Sequence, residues 1–342
     1  MIHVSKAPLR IGIAGGGTDV SPYSEMHGGA ILNGTISLYA HATIIPRNDG
    51  KIIFRAIDRN EEEVFASEAA LPISDTLKLQ KGIYNRIVKD FSEKPLSFEL
   101  ITHIDAPTGS GLGTSSTLVV AIIGAFVEWL NLPLGEYDIA RLAYQIERED
   151  LQMAGGKQDQ YAATFGGINF MEFKTDGSVI INPLRVKNEI LQELQFHLLL
   201  FYTQTSRQSS KIIEAQKESF HDNTEGVLNA THNLKKQAFQ MKEALLRADI
   251  SKMGDILDYG WTNKKKLASG ISNELIDDIY TQATSAGATG GKISGAGGGG
   301  FMIFYAPGGT KYKVIEVLEE IGVKHQIYSF VKNGLTTWTS HQ

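Results

Sequence analysis

The residues best suited to chemistry lie in one loop, Pro107-Thr108-Gly109-Ser110-Gly111-Leu112-Gly113-Thr114-Ser115-Ser116. Glycine lets the backbone take φ > 0 and lets a phosphate approach without meeting a Cβ atom. The N–H groups and dipole at the start of a following helix then favour an anion. Hydroxyls at Thr114, Ser115 and Ser116 are placed to reach phosphate oxygens or a Mg²⁺ ion. No lysine follows the glycines, so the loop is not a Walker loop, and it lacks the GxGxxG spacing of a dinucleotide-binding turn. Taken alone it fits equally a tight strand-to-helix turn capped by Thr114 or Ser115. Two further glycine clusters accompany it, Gly15-Gly16-Gly17 and Gly295 to Gly300. Each abuts an apolar run, which points to tight loops inside a fold rather than to flexible linkers.

Elements of both periods surround these loops. Thr35–Ile45 and Lys51–Ile57 read as β-rich runs meeting at the turn Asn48-Asp49-Gly50. Leu77–Phe91 has helical spacing, with Leu79, Ile83, Ile87 and Phe91 on one face. Leu96–Ile104 predicts the strand entering the central loop, Thr114–Leu130 the buried helix leaving it, and Glu136–Leu151 a further amphipathic helix. Gly167–Phe173 and Val179–Ile181 predict a hairpin around Asp176-Gly177. Beyond it come a strand at Phe196–Tyr202 and long helical patterns near Gln208–Glu218, Glu225–Arg247 and Ile250–Leu267. A helix at Asn273–Ala286, a strand at Phe301–Tyr305, a helix at Thr310–Ile321 and a short last strand complete the chain. The expected division is into residues 1–185 and 186–342.

The 342 residues suffice for two domains. A net charge of -5 gives no global basic field to draw nucleic acid or an anionic membrane, so a small-molecule ligand is expected. Cysteine is absent, which excludes disulfides, thiolate metal sites and a cysteine nucleophile. The start of the chain lacks a signal peptide's apolar region, and the apolar run Leu118–Val127 is too short to span a bilayer. A cytoplasmic protein is expected. The nine histidines show no HExxH spacing, and there is no Gly-x-Ser-x-Gly elbow.

The segment Pro107…Gly111-Leu112-Gly113-Thr114-Ser115 resembles the ATP loop of the GHMP kinases, Pro-x-x-x-Gly-Leu-Gly-Ser-Ser, with Thr for the first Ser. That family includes galactokinase, homoserine kinase, mevalonate kinase and phosphomevalonate kinase. Ala7-Pro8-Leu9-Arg10 followed by Gly17-Thr18-Asp19 resembles the family's first motif, and Lys292 to Phe301 its third. The three occur in the family's order and span nearly the whole chain. Within the family, Gly15-Gly16-Gly17-Thr18-Asp19 and Gly155-Gly156-Lys157-Gln158-Asp159-Gln160-Tyr161 most resemble the branch acting on heptose 7-phosphate. Galactokinases carry Glu-His where Gly16-Gly17 stand, which argues against galactose.

The resemblance implies an α/β (α+β) GHMP kinase fold. Its N-terminal domain would be like ribosomal protein S5 domain 2 and its C-terminal domain ferredoxin-like, with ATP and sugar meeting between them. It implies ATP and Mg²⁺ as cofactors, with ATP cradled by Pro107, Gly109, Ser110, Gly111, Leu112, Gly113, Thr114, Ser115 and Ser116. Asp159 maps onto the catalytic base, Glu147 with Ser115 onto the Mg²⁺ ligands, and Arg10 onto the cation that neutralises the transferring phosphoryl group. Gly16, Gly17, Thr18 and Asp19 correspond to the sugar contacts, and Gly297 and Gly298 to a loop closing over ATP or substrate. A sugar phosphate would need a further cation: Arg207 and Lys211 are candidates, and the run Lys264-Lys265-Lys266 after Trp261 is another, although a charge run is usually a solvated face. The implied reaction phosphorylates the anomeric hydroxyl of D-glycero-D-manno-heptose 7-phosphate. Alternatives are another sugar (fucose, arabinose, galactose) or a non-catalytic regulator binding sugar and ATP.

Overall fold

The computed structural model describes residues 1–205, 209–221 and 225–341. The chain runs β1 (Ile2–Ala14), α1 (Tyr23–His27), β2 (Gly29–Pro46), β3 (Lys51–Ala56), β4 (Glu61–Ala66), α2 (Lys78–Phe91), β5 (Phe98–Ile104), α3 (Thr114–Leu130), α4 (Glu136–Gln145), α5 (Gln158–Phe165), β6 (Ile168–Phe173) and β7 (Val179–Pro183). It continues α6 (Asn188–His197), β8 (Leu198–Tyr202), α7 (Ser209–His221), α8 (Glu225–Leu246), α9 (Met253–Lys264), α10 (Glu274–Ser285), β9 (Gly290–Ile293), β10 (Phe301–Tyr305), α11 (Thr310–Glu320), β11 (Lys324–His325) and β12 (Thr336–Ser340).

An eight-stranded sheet carries the order β12-β1-β2-β5-β3-β4, with β6 and β7 branching from β2. The long β2 serves two neighbours on one edge, pairing β6 over Gly29–Gly34 and β5 over Ala40–Pro46. The turn at Asn48-Asp49-Gly50 joins strands that are not hydrogen-bonded to each other. β5 lies between them, antiparallel to β2 and parallel to β3, because the α2 crossover returns the chain in the direction of β3. Apolar on all sides, α3 is buried: Val119, Ile122, Ile123 and Phe126 share one core with Leu9, Ile11, Ile44 and Phe98 of the sheet.

The second sheet, β11-β8-β10-β9, is antiparallel throughout. It shares a core with α9, α10 and α11 through Phe201, Trp261, Ile279, Phe304 and Leu318. A division at 185/186 does not separate the two sheets. β12 leaves the second half and pairs with β1, from Ile2↔Ser340 to Lys6↔Thr336, covering an edge whose backbone groups would otherwise be unpaired.

The predicted helix over Glu136–Leu151 also differs. It is α-helical to Gln145, then passes through a π-helical turn at Ile146–Asp150. Such turns change which residues face inward. Here Glu147 is buried while Glu149 and Asp150 are exposed. Among the described residues, no helix is long and apolar enough to cross a membrane.

Candidate active site

One cavity of about 720 Å³ gathers the three glycine loops. Its wall includes Arg10, Gly17 and Asp19 from the first motif, and Gly109, Gly111, Gly113, Thr114, Ser115 and Ser116 from the second. Glu147, Asp159 and Lys264 add to its charged lining, with Lys78, Arg148 and Glu214, and Gly295 and Ala296 come from the third motif.

A change of register between Pro8 and Arg10 in the β1–β2 ladder positions the arginine. Irregularities of this kind re-aim side chains. The Arg10 N–H leaves the ladder and donates to Leu112 O at 3.1 Å, while the guanidinium turns to the base of the loop. Nε and Nη2 lie 2.8 and 2.7 Å from Asp159 Oδ1, and Nη1 donates to Gly111 O at 2.6 Å. Arg10 is buried, and Asp159 retains 22% side-chain exposure. Oδ2 of Asp159 is left to the cavity, where a Cβ on Gly113 would stand 3.2 Å from it.

Asp159 sits in the first turn of α5, and Asp19 holds that turn. Asp19 Oδ2 accepts from the backbone N–H of Lys157 at 2.9 Å and of Gln158 at 3.1 Å, two donors a helix start leaves orphaned. Burial pushes the Asp19 carboxyl up, Asp159 adds to that, and the backbone bonds and Lys264 oppose it.

Glu147 receives Ser116 Oγ–H at 3.0 Å on Oε1 and Gln160 Nε2–H at 2.5 Å on Oε2, with Arg148 Nη1 at 3.6 Å. Burial raises its pKa, against Arg148 and the two hydrogen bonds. Ser116 thus supplies the hydroxyl hydrogen-bonded to Glu147, while Ser115, the expected partner of Glu147 at the metal, lines the same cavity. Helical geometry decides this, since adjacent residues point about 100° apart.

Several expected contacts are committed elsewhere. The Thr18 hydroxyl bonds the backbone, at 2.8 Å to Gly15 O and 3.0 Å to Ala30 O. Gly16 offers its carbonyl to Lys264 Nζ at 3.2 Å rather than lining the cavity. Gly298 N–H donates to Ile271 O at 2.9 Å, and a Cβ on Gly297 would meet Ile271 Cα at 2.8 Å, so these glycines serve backbone packing. Leu112 is in the core and Pro107 is exposed outside the cavity lining, whereas Ser110 gives its carbonyl to Phe301 N–H but leaves its buried hydroxyl without a partner among the described residues. Arg207 lies outside the described residues; Lys211 is exposed on α7.

The lysine run splits: Lys265 and Lys266 are exposed as expected, but Lys264 is buried and faces the site. The signal was present, because Leu257, Trp261 and Lys264 fall on one face at i, i+4, i+7. Lys292, the first residue of the third motif, is buried beside it and donates to Gly12 O at 2.8 Å. Burial lowers the Lys264 pKa to about 8. It lowers that of Lys292 to about 7, with Lys264 and Arg10 adding to the effect.

The lining suits a nucleoside triphosphate and a divalent cation. Gly111 and Gly113 take φ of 81° and 79°, and a side chain on Gly113 would crowd Asp159 in the cradle. Gly113 precedes α3 with no side-chain cap on the helix, so its first N–H groups suit phosphate oxygens. Glu147 with a neighbouring serine is the sparse oxygen set typical of Mg²⁺ shared with phosphates.

The descriptions "GHMP kinases N terminal domain" and "GHMP kinases C terminal" match residues 78–167 and 241–324. The chain belongs to the GHMP kinases and is an ATP-dependent phosphotransferase. A D-glycero-α-D-manno-heptose 7-phosphate kinase of Campylobacter jejuni is 51% identical over 334 residues, 98% of each chain. A crystal structure of a D-glycero-D-manno-heptose 1-phosphate kinase from Bacteroides thetaiotaomicron superposes with a TM-score of 0.85 at 43% identity, covering 100% of both chains. A Lactococcus lactis galactokinase complexed with galactose shares the fold at a TM-score of 0.77 and 18% identity, over 98% of this chain and 95% of that one.

Proposed function

We propose that this chain phosphorylates the anomeric hydroxyl of a seven-carbon sugar phosphate, D-glycero-D-manno-heptose 7-phosphate, using ATP and Mg²⁺ in the cytoplasm. The product would be the 1,7-bisphosphate, an intermediate for nucleotide-activated heptose. The observation that carries the chemistry is the Arg10–Asp159 pair beneath the phosphate loop, with Oδ1 held by the guanidinium and Oδ2 left to the cavity. The heptose assignment is supported by the names of the relatives at 51% and 43% identity.

In this reading Asp159 Oδ2 accepts the proton of the attacking hydroxyl. The sugar oxygen forms a bond to the γ-phosphorus as the bridging bond to ADP breaks. Little covalent chemistry is asked of the protein, so positioning and charge dominate. Arg10 fixes the carboxylate and opposes developing negative charge, and Asp19 sets the helix turn that carries Asp159. Glu147, with Ser115 or Ser116, would hold Mg²⁺, which supplies charge neutralisation for the phosphates.

The test is ADP release with Mg-ATP against heptose 7-phosphate, fucose, galactose and arabinose, in wild type and Asp159→Asn. Asn keeps an oxygen for Arg10 but is no base, so kcat should fall about 10²–10⁴-fold. Turnover of an unphosphorylated sugar in preference would sink the heptose assignment. ATP binding without turnover of any acceptor would favour a regulator.

A further inference from the structure

Two buried lysines beside the first glycine loop take no part in the transfer step. Lys264 at the end of α9 and Lys292 in β9 are 4% and 7% exposed. Each gives one hydrogen bond to a backbone carbonyl, Gly16 O for Lys264 and Gly12 O for Lys292. An ammonium carries three donors, so two on each remain unspent among the described residues. Both point at the first glycine loop. A Cβ on Gly17 would stand 3.1 Å from Lys264 Nζ, and one on Gly16 would stand 3.8 Å from Lys292 Nζ. Asp19 acts on Lys264 through space, and its Oδ2 is already given to the start of α5. Of the two lysines, Lys264 reaches the cavity wall, next to Gly17 and Asp19.

Buried charge that is incompletely paired is costly, and the cost is relieved by an anion in the same pocket. A sugar hydroxyl would satisfy one donor and leave the ammonium charge of Lys264 uncompensated. A phosphate monoester brings close to two negative charges and three acceptor oxygens. Of the other cations at or beside the cavity, Lys157 Nζ is paired with Glu25 at 3.0 Å, Arg10 is held by Asp159, and Arg148 is held by Glu147 and the carbonyls of Met153 and Gly156. Lys78 is only half-buried, so its charge is less in need of an anion.

We infer that Lys264, backed by Lys292, is the subsite for the phosphate that the acceptor already carries, and so selects a phosphorylated sugar over the neutral one. The inference rests on the heptose-phosphate reading and adds to it the residue that enforces it. Gly16 and Gly17 then have a further role, since side chains there would occupy the space in front of the ammonium groups.

The experiment compares heptose 7-phosphate with unphosphorylated heptose at saturating Mg-ATP, in wild type and in Lys264→Met, Lys264→Arg and Lys266→Met. The KM for ATP and the melting temperature are measured alongside. Charge-assisted hydrogen bonds of this kind predict that Lys264→Met loses about 10–100-fold in kcat/KM for the phosphorylated sugar. The loss for the neutral sugar should stay within about threefold, with the KM for ATP unchanged. Lys264→Arg should recover part of the preference, and exposed Lys266→Met should behave as wild type. Equal losses on both sugars would make Lys264 a hydroxyl contact and overturn the inference. An unchanged preference, or a loss that follows the KM for ATP and the melting temperature in both Lys264 variants, would overturn it too. Wild type inactive on both heptoses would instead refute the proposed function, and the subsite with it; the wild-type arm separates the two failures.

Discussion

Gly156→Ala should damage catalysis without touching any reacting group. A Cβ at residue 156 would stand 1.9 Å from Asp19 Oδ2, 2.5 Å from its Cγ and 3.0 Å from its Oδ1. Non-bonded heavy atoms settle nearer 3.5 Å, so the carboxylate must retreat by about 1.5 Å. That retreat breaks its bonds to the N–H groups of Lys157 and Gln158. Hydrogen bonds to a charged group contribute about 1.5–3 kcal/mol each. With partial recovery through water, the fold loses about 2–5 kcal/mol, roughly 3–7 °C in Tm for a chain of this size. Asp159 is the residue after Gln158, and a misplacement near 1 Å costs about 10²-fold in rate. Steady-state kinetics with a melting curve checks both numbers. Gly155→Ala is the control: its Cβ would meet Arg148 Nη2 at 2.1 Å, the far end of a flexible side chain whose bonds to Gly156 O and Met153 O are 3.4 Å long. Arg148 can swing aside, so this variant should lose under tenfold in kcat. The reasoning fails if Gly156→Ala keeps wild-type kcat and Tm, or if the two variants are equally impaired.

Glu147→Gln retains groups for Ser116 and Gln160 but removes the charge. The Mg²⁺ concentration for half-maximal activity should rise at least about tenfold, and an unchanged Mg²⁺ requirement would remove Glu147 from the metal site. Lys292 predicts a pH dependence of stability. Its folded pKa is lowered to about 7 from 10.5, so above pH 7 the unfolded chain binds more protons than the folded one. Stability from this group therefore rises with pH until the unfolded lysine titrates. Between pH 7.5 and 9 the contribution is about 1 kcal/mol per pH unit. Urea unfolding of Lys292→Met should show a slope flatter by that amount, and an identical slope would refute the burial argument.

Much of the fold was legible because its elements carry strong local signals. Thr114–Leu130 and Phe301–Tyr305 appear with the predicted bounds, since apolar runs between glycine loops admit few other lengths. Strand neighbours were not legible. Nothing between Pro46 and Lys51 says that β5 will come between β2 and β3, or that β12 will travel back to β1. Within the site, residue types were readable and partners were not. Ser115 and Ser116 are indistinguishable in a motif, and only the helix direction gives Ser116 to Glu147. Lys264 was obscured by its exposed neighbours, although its spacing from Trp261 marks the buried face. Asp19 carried a signal for an acid after glycines but none for the helix it would cap 138 residues later.

Glycine in the third motif has a structural cause that the sequence does not separate from ligand binding. Phe301 N–H donates to Ser110 O at 2.9 Å, and a Cβ on Gly300 would stand 2.3 Å from that same oxygen. A Cβ on Gly111 would stand 2.3 Å from Ser294 O, and one on Gly295 would stand 2.8 Å from Gly111 Cα. Two backbones therefore lie against each other with no room for side chains between them. Arg10 closes the same junction from the first motif, with Nη1 donating to Gly111 O while Ser294 Oγ donates to that carbonyl at 3.0 Å. Fixing the phosphate loop this way from both sides holds the cradle open before any ligand arrives, which is the preorganisation that phosphoryl transfer rewards. Gly297 and Gly298 need touch no ligand to be required, because their contacts with Ile271 set the path by which the loop reaches Ser110.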